Sequence, residues 1–260
     1  MKRTLIKDIP RPLPEEVIDL MAGAPVYDSS CSPTARVYLI DKDGGYFLKR
    51  SPRGTLAREA MMDEYFHSLG LGAKVKAYIS GEEDFLITER LFGEDGTHEI
   101  YLCDPKRLCD IYATRLRALH EIRPTGCPVV RTADYIKAVE DNYRTECYDR
   151  TQFPDSFGFR TPDEAIGRFR EGKDYLKCDT LLHGDYCLPN VILDNWSLSG
   201  YIDLDSGGVG DRHVDIFWGC FTLYFNLHTT EYTDRFLDAY GRDKIEPELL
   251  HTVAAAEVFG

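Results

Sequence analysis

The stretch that decides the fold is LLHGDYCLPNVILDNWSLSGYIDLDSGGVGDRHVD, which runs from Leu181 to Asp215. Within it the triplet His183-Gly184-Asp185 is followed, five residues after the aspartate, by Asn190. Asp203 comes thirteen residues after Asn190, at the end of an apolar segment. Aspartate and asparagine collect in loops for backbone reasons alone, so a lone HGD triplet would carry little weight. The three polar residues in this order and spacing indicate a functional loop.

The residues between Asn190 and Asp203 predict a hairpin. Val191-Ile192-Leu193 and the segment from Leu198 to Leu204 read as two short strands, and Asp194-Asn195 belongs to the turn that joins them. Such a hairpin would bring Asn190 and Asp203 close together at its open end.

The spacing H-x-D-x-x-x-x-N is that of a kinase catalytic loop. In such a loop the aspartate, here Asp185, receives the proton of the substrate hydroxyl. Asn190 and Asp203 supply the oxygen ligands that a hard cation such as Mg²⁺ prefers. His183 is expected to orient the loop. The pattern therefore predicts ATP-dependent phosphorylation of a hydroxyl group, with Mg²⁺ as the metal.

The chain resembles the aminoglycoside O-phosphotransferases, the kanamycin- and streptomycin-type antibiotic kinases, in the stretches HGDYCLPNVILD and GYIDLDSGGVGDRHVDI. The similarity extends to Ser30-Cys31-Ser32-Pro33, Leu119-His120 and Glu257-Val258-Phe259. The resemblance implies an α+β, bilobal, protein-kinase-like fold with a small β-rich N-lobe and a larger, mostly helical C-lobe. It also implies that Asp185 is the catalytic base. Gly184 replaces the arginine of the protein-kinase HRD motif, which argues against a protein kinase switched by phosphorylation.

The expected organisation is a nucleotide-binding lobe over residues 1–92, with a hinge near 88–92, and a catalytic and substrate-binding lobe over residues 93–260. Two apolar runs, Ala35 to Ile40 and Gly45 to Arg50, predict strands, and a helical pattern follows them. Lys49 and Glu59 fit the kinase pair in which a helix glutamate holds a phosphate-binding strand lysine. The alternatives are a solvated Lys and Glu, or Glu64 as the partner.

Further nucleotide contacts are expected on both sides of these strands. Ser32, in SSCSPTARV, is a candidate donor in a turn over the phosphates. Thr88-Glu89-Arg90-Leu91 would form the segment whose backbone binds adenine. The remainder of the chain predicts helices, among them Pro105 to Ile122 and a helix from Asp215 onward. His120 and Asp215 are expected to be structural.

The resemblance implies that carboxylates bind a cationic drug. The candidates are Asp155, Glu257 and the terminal carboxylate of Gly260, although each could equally be a solvated surface acid. Phe221, Tyr224 and Phe225 occupy positions where polar residues are common in the family. The family's usual Gly-Arg after the metal-binding segment is Asp205-Ser206 here, and Ala256 replaces an aspartate.

Composition agrees with one globular enzyme of 260 residues, 43% of them hydrophobic. The net charge of −13 disfavours nucleic-acid binding and suits a cationic small molecule. No apolar run approaches the roughly 20 residues of a membrane span, and no signal-peptide pattern opens the chain. Eight scattered cysteines predict reduced thiols and a cytoplasmic location. A monomer or weak dimer is expected.

Three hypotheses stay open. The leading one is an aminoglycoside resistance kinase that uses ATP, or alternatively GTP, with Mg²⁺. The second is a kinase of the same fold that acts on another hydroxylated antibiotic or metabolite. The third is a nucleotide-binding pseudo-kinase, which the joint presence of Asp185, Asn190 and Asp203 disfavours.

Overall fold

The computed structural model describes residues 3–31, 35–148 and 158–260. By its packing the chain forms two compact units. The first comprises Met1–Glu99 with Pro189–Asp205, and the second comprises Ile100–Leu188 with Ser206–Gly260. The expected lobe boundary at residue 92 and the hinge near 88–92 stay predictions. The hairpin after Asn190 belongs to the first unit with the N-terminal residues, so this unit is not one continuous stretch of sequence.

The first unit is built on a six-stranded sheet in which neighbouring strands are antiparallel, in the order β1-β2-β3-β4-β6-β5. The strands are β1 (Thr4–Ile6), β2 (Val26–Asp28), β3 (Arg36–Ile40), β4 (Tyr46–Pro52), β5 (Val75–Ser80) and β6 (Glu83–Glu89). Helix α1 covers Glu15–Met21 and helix α2 covers Ala57–Ser68. The strands predicted at 35–40 and 45–50 are confirmed.

One face of this sheet forms an apolar core. Its buried members come from the sheet and from the N-terminal segment: Ile9, Val17, Val26, Tyr38, Ile40, Leu48, Phe85 and Ile87. A smaller cluster of Leu56, Ala60 and Leu86 joins α2 to the sheet. Burial of this apolar surface is the main force that holds the sheet and α2 together.

The predicted hairpin is present in the first unit. Strands β9 (Val191–Asp194) and β10 (Ser197–Tyr201) pair antiparallel, and β7 (Glu94–Asp95) adds a third strand beside β9. The turn uses positive φ angles at Asn195 and Trp196, of 47° and 68°. The second strand ends at Tyr201, earlier than the predicted 204. Asp203 has a φ of 58°, in the left-handed region, which no strand can continue through.

The second unit is mostly helical. Its helices are α4 (Pro105–His120), α5 (Thr132–Thr145), α6 (Pro162–Gly172), α7 (His213–Leu227), α8 (Glu231–Tyr240) and α9 (Pro247–Glu257), and the short α3 covers Glu99–Leu102. Strands β8 (Thr180–Leu182) and β11 (Gly208–Gly210) form a two-stranded antiparallel sheet. Caps explain two helix starts, because Asp104 and Thr161 accept from backbone N–H groups and each precedes a proline.

Helices α6 and α9 pack closely in the second unit. A Cβ at Gly172 would lie 2.0 Å from Thr252 Oγ1, so only glycine fits at the end of α6. The buried cluster around this contact includes Val139, Phe159, Ala165, Ile166, Phe169, Ala255, Ala256, Val258 and Phe259. Within the described ranges, no helix has both the length and the apolar character needed to cross a membrane.

Candidate active site

The first unit contains a cavity of about 250 Å³. Its walls come from the sheet, from α2 and from the segment that follows the hairpin. Lys49 on β4, Glu59 on α2 and Asp203 after β10 all line it. The three side chains are far apart in the sequence, and the fold of this unit brings them together.

Lys49 is bonded to both acids. Its Nζ lies 2.8 Å from Glu59 Oε1 and 2.7 Å from Asp203 Oδ1. The antiparallel register places Lys49 opposite Val37 on β3 and Leu86 on β6, which fixes its position at the centre of the sheet. Glu59 is buried, whereas Glu64 is exposed. The structure therefore pairs Lys49 with Glu59, the partner that the sequence favoured.

The electrostatics of this cluster differ between its members. Burial opposes the charge of Lys49, but the carboxylates of Asp203 and Glu59 outweigh it and raise the pKa of Lys49. Burial raises the pKa of Glu59, and Lys49 only partly offsets that effect. Glu59 Oε2 is buried and has no hydrogen-bond partner among the described residues. Glu59 therefore has acceptor capacity that no described residue uses.

Asp63 is a functional candidate that the sequence reasoning missed. It is one turn beyond Glu59 on α2, is only 5% exposed, and lines the same cavity. Burial, followed by the charge of Glu59, raises its pKa well above the ordinary value. The i, i+4 spacing from Glu59 was the available signal, because residues so spaced share a helix face.

The predicted adenine-binding segment lies beside the cavity. Thr88, Glu89 and Leu91 line it, whereas Arg90 is not among the lining residues. The backbone N–H of Glu89 donates to Lys74 O at 2.8 Å, and that of Arg90 donates to Gly45 O at 3.0 Å. Both N–H groups are therefore used within the protein.

The two expected metal ligands are tied together by the backbone. Ile202 N donates to Asn190 O at 3.1 Å, so the residue before Asp203 is fixed against Asn190. The Asn190 amide and the Asp203 carboxylate are hard oxygen donors, a set that fits Mg²⁺. Asp203 Oδ1 already accepts from the Lys49 ammonium group, which shows that a cation is favoured at this oxygen.

In the second unit the loop that carries Asp185 is rigidly held. Asp215 accepts from His183 N at 2.8 Å, from Gly184 N at 2.7 Å and from His120 Nε2 at 3.0 Å. Asp215 and His120 have fully buried side chains. Burial lowers the pKa of His120, and its bond to Asp215 offsets this only in part. These contacts are structural, as expected for both residues.

The loop also requires its glycine. Gly184 has a φ of 87°, and a Cβ there would lie 1.8 Å from Ser206 O. Arginine, the protein-kinase residue at this place, cannot occupy it in this backbone. Asp185 N donates to His183 Nδ1 at 3.3 Å, which agrees with an orienting role for His183.

The expected substrate carboxylates have different surroundings. Asp155 lies outside the described residues, as does Ser32, the expected phosphate donor. Glu257 is buried and accepts from the Tyr135 hydroxyl at 2.7 Å, so it is not a solvated surface acid. Burial raises its pKa to about 7. Gly260 is exposed at the chain end.

Helix α7 carries a row of aromatic rings. Phe217 and Phe221 have ring centroids 6.1 Å apart, and Phe221 and Phe225 follow at 6.2 Å. Phe225 is 63% exposed and Tyr224 is 44% exposed. This aromatic row contains Phe221 and Phe225, which the sequence had marked as departures.

The cluster of Lys49, Glu59 and Asp203 agrees with a phosphotransferase, the class that comparison with known proteins shows. A sequence model of the phosphotransferase enzyme family matches residues 30–253, and the chain belongs to this family. It is 47% identical over 249 residues to a probable aminoglycoside 3'-phosphotransferase of Lactococcus lactis, with 95% of each chain covered. It is 33% identical over 171 residues to an aminoglycoside 3'-phosphotransferase of Niallia circulans, covering 65% of this chain and 64% of that one.

Solved structures show the same fold. An aminoglycoside-3'-phosphotransferase of type VIII superposes with a TM-score of 0.74 at 21% identity, covering 90% of this chain and 91% of the other. An aminoglycoside phosphotransferase from Streptomyces rimosus, in complex with ADP and streptomycin, gives 0.68 at 22% identity, covering 85% and 90%. The family resemblance and the α+β, protein-kinase-like fold predicted from the sequence are confirmed.

Proposed function

We propose that this protein is an ATP- and Mg²⁺-dependent aminoglycoside 3'-phosphotransferase. The similarity to the Lactococcus protein over nearly the whole chain is the observation that carries the proposal. Within the first unit, the Lys49–Glu59–Asp203 cluster in the cavity supports it, because these are the groups that phosphoryl transfer requires.

The nucleotide is assigned to the cavity of the first unit. The base lies against Thr88 and Leu91, with the Leu91 N–H and the carbonyl oxygens of the segment as its hydrogen-bonding partners. Lys49 leaves Asp203 to bind phosphate oxygens while Glu59 keeps its position. Ser32 is the proposed additional phosphate donor. GTP has the same phosphates, so preference for ATP over GTP depends on the base contacts of residues 88–91.

Asn190 and Asp203 are the proposed Mg²⁺ ligands. When bound, the metal neutralises charge on the phosphate oxygens. Asn190 and Asp203 would hold the metal, and the bond between Ile202 N and Asn190 O keeps the two ligands in register. Lys49 then compensates the remaining negative charge.

Asp185 is the proposed catalytic base. It accepts a hydrogen bond from the acceptor hydroxyl, orients its oxygen toward the γ-phosphorus and receives its proton. The three hydrogen bonds to Asp215 fix the loop before substrate arrives, so little reorganisation is needed during transfer.

The cationic substrate is assigned to acidic groups of the second unit, namely Asp155, Glu257 and the carboxylate of Gly260. The net charge of −13 favours a polycationic drug at long range. The exposed Tyr224 and Phe225 favour a second candidate, an uncharged hydroxylated acceptor of lower polarity. The proposed location is the cytoplasm, because ATP is available there.

A paired-substrate assay tests the proposal. Purified protein is incubated with ATP or GTP, Mg²⁺ and one acceptor. The acceptor is kanamycin B or 3'-deoxykanamycin B as the matched pair, or else streptomycin or a neutral hydroxylated compound. Phosphorylated product is detected by mass spectrometry. Product from kanamycin B alone, abolished by a chelator, is expected. Product from both compounds contradicts 3' transfer. Product only from neutral hydroxylated compounds, or from streptomycin, contradicts the substrate assignment.

A further inference from the structure

Arg3 lies just before β1, the first strand of the chain. Strand β1 pairs antiparallel with β2, and Thr4 lies opposite Asp28. Continued by one step, this register brings Arg3 beside Ser29. Both residues line the cavity assigned above to the nucleotide. The N-terminal strand therefore delivers a guanidinium group to the site, although it is remote in sequence from every motif.

The cavity is strongly acidic. Its lining carboxylates among the described residues are Glu59, Asp63, Glu89, Glu94, Asp95 and Asp203. Its basic side chains, within the same described ranges, are Lys49 and Arg3. A nucleoside di- or triphosphate carries several negative charges, so the basic side chains matter most for its binding.

The two cations are in different states. Lys49 is bonded to Glu59 and Asp203. Arg3 has a buried Nε that finds no hydrogen-bond partner in the part of the chain that the structure describes. A buried donor without an acceptor is unfavourable, so this group is suited to an acceptor that a ligand brings.

We propose that Arg3 is a nucleotide-binding residue whose guanidinium contacts the phosphate chain. The inference rests on the proposed function, since it takes the cavity to be the nucleotide site. The planar fork of arginine matches phosphate oxygens in a bidentate manner, and the contact is charge-assisted. Cys31, which also lines the cavity, leads directly into the segment with Ser32 that the sequence assigns to the phosphates.

Binding measurements on the full-length protein test this contact. Dissociation constants for ADP and for adenosine are measured by calorimetry without Mg²⁺ for the wild type, Arg3→Gln and Arg3→Lys. Arg36→Gln is the matched control, because Arg36 is exposed on β3 and does not line the cavity. Thermal unfolding of each variant is recorded, and Arg3→Lys keeps the positive charge if Arg3→Gln folds poorly.

We expect Arg3→Gln to weaken ADP binding by about tenfold, the loss of one charge-assisted contact. Adenosine binding should be unchanged, Arg3→Lys should be intermediate and Arg36→Gln should equal the wild type. Equal weakening of ADP and adenosine would instead assign Arg3 to the ribose, the base or the fold. Wild-type ADP affinity in Arg3→Gln overturns the inference alone. Wild-type protein that binds neither ligand overturns the proposed nucleotide site together with it.

Discussion

A buried carboxylate lies in the cavity of the first unit and another lies beside the Asp185 loop of the second unit, but their hydrogen bonding differs. Asp215 in the second unit receives three hydrogen bonds at 2.7–3.0 Å, from two backbone N–H groups and from His120. Glu59 in the first unit is also buried, but one of its oxygens has no partner among the described residues. Asp215 is satisfied by the protein, whereas Glu59 in the cavity is only partly satisfied.

The difference separates structural from functional charges. A buried carboxylate with all its acceptors used stabilises a loop and has no capacity left for a ligand. Carboxylates that share one lysine, as Glu59 and Asp203 share Lys49, can exchange it for a new partner. Removing a structural acid should therefore damage folding, and removing a functional acid should damage binding or transfer.

The largest effect is expected at Asp185. Asp185→Asn should lower kcat by roughly 10²–10⁴-fold, the usual contribution of a general base. ADP affinity and thermal unfolding should stay near wild type, because the proposed role of Asp185 involves the acceptor and not the nucleotide. Asp179→Asn, an exposed position on the same segment, is the control. A normal kcat, or a selective loss of ADP binding, would remove Asp185 from its assigned role.

The next effect concerns stability. Asp215→Ala leaves two backbone N–H groups and the buried His120 without their acceptor, and should lower the free energy of unfolding by about 3–5 kcal/mol. Denaturant unfolding measures this value. An unfolding midpoint like that of the wild type would show that the loop does not depend on Asp215, and the contrast between the two regions would fail.

Glu257 is a buried acid of the second unit whose contribution to stability depends on pH. Its pKa is raised by burial to about 7, above its ordinary 4.5, so the folded protein binds more protons than the unfolded chain between these values. Its contribution to stability is therefore greatest below pH 4.5 and is lost as pH rises to 7, by on the order of 3 kcal/mol.

Denaturant unfolding at a series of pH values measures the Glu257 contribution. Glu257→Gln keeps an oxygen for the Tyr135 hydroxyl and should flatten the stability profile over this range. Glu248→Gln, exposed on the same helix, is the control. A profile with the same slope in Glu257→Gln as in the wild type would show that another group titrates.

The smallest effect is expected at Glu59. Glu59→Gln weakens the hold on Lys49 and should raise KM for ATP by about tenfold, the cost of one charge-assisted bond. Stability should change little, because a partly unsatisfied buried acid is replaced by a neutral amide. Steady-state kinetics and unfolding of Glu64→Gln, exposed on the same helix, provide the control. If Glu59→Gln did not fold, Glu59 would be a structural acid like Asp215.

Local patterns in the sequence predicted much of this arrangement. The hairpin followed from its apolar runs and its turn residue Asn195, and the Lys49–Glu59 pairing followed from the order of strand and helix. The spacing of Asp185, Asn190 and Asp203 indicated a kinase-type loop, and the family and its fold followed from the resemblance of HGDYCLPNVILD and GYIDLDSGGVGDRHVDI to known antibiotic kinases. These features lie in short segments whose conformation depends mainly on neighbouring residues.

Features that depend on packing between distant segments were not predicted. Strand β1 is three residues long and largely exposed, so it has no alternating pattern, and its position is set by pairing with β2. Arg3 reaches the cavity only through that pairing. Glu257 becomes buried because Tyr135, on another helix, covers it. Asp63 looks like a solvated helical acid until the cavity wall is formed around it.

The most direct test compares Asp203→Asn with Asp215→Asn. Both remove one charge from a carboxylate, and both residues follow the catalytic loop. Transfer to kanamycin B and thermal unfolding are measured for each in parallel. We expect Asp203→Asn to unfold like the wild type and to lose Mg²⁺-dependent transfer, while Asp215→Asn unfolds at a clearly lower temperature. Normal transfer by Asp203→Asn together with wild-type stability of Asp215→Asn would contradict the account.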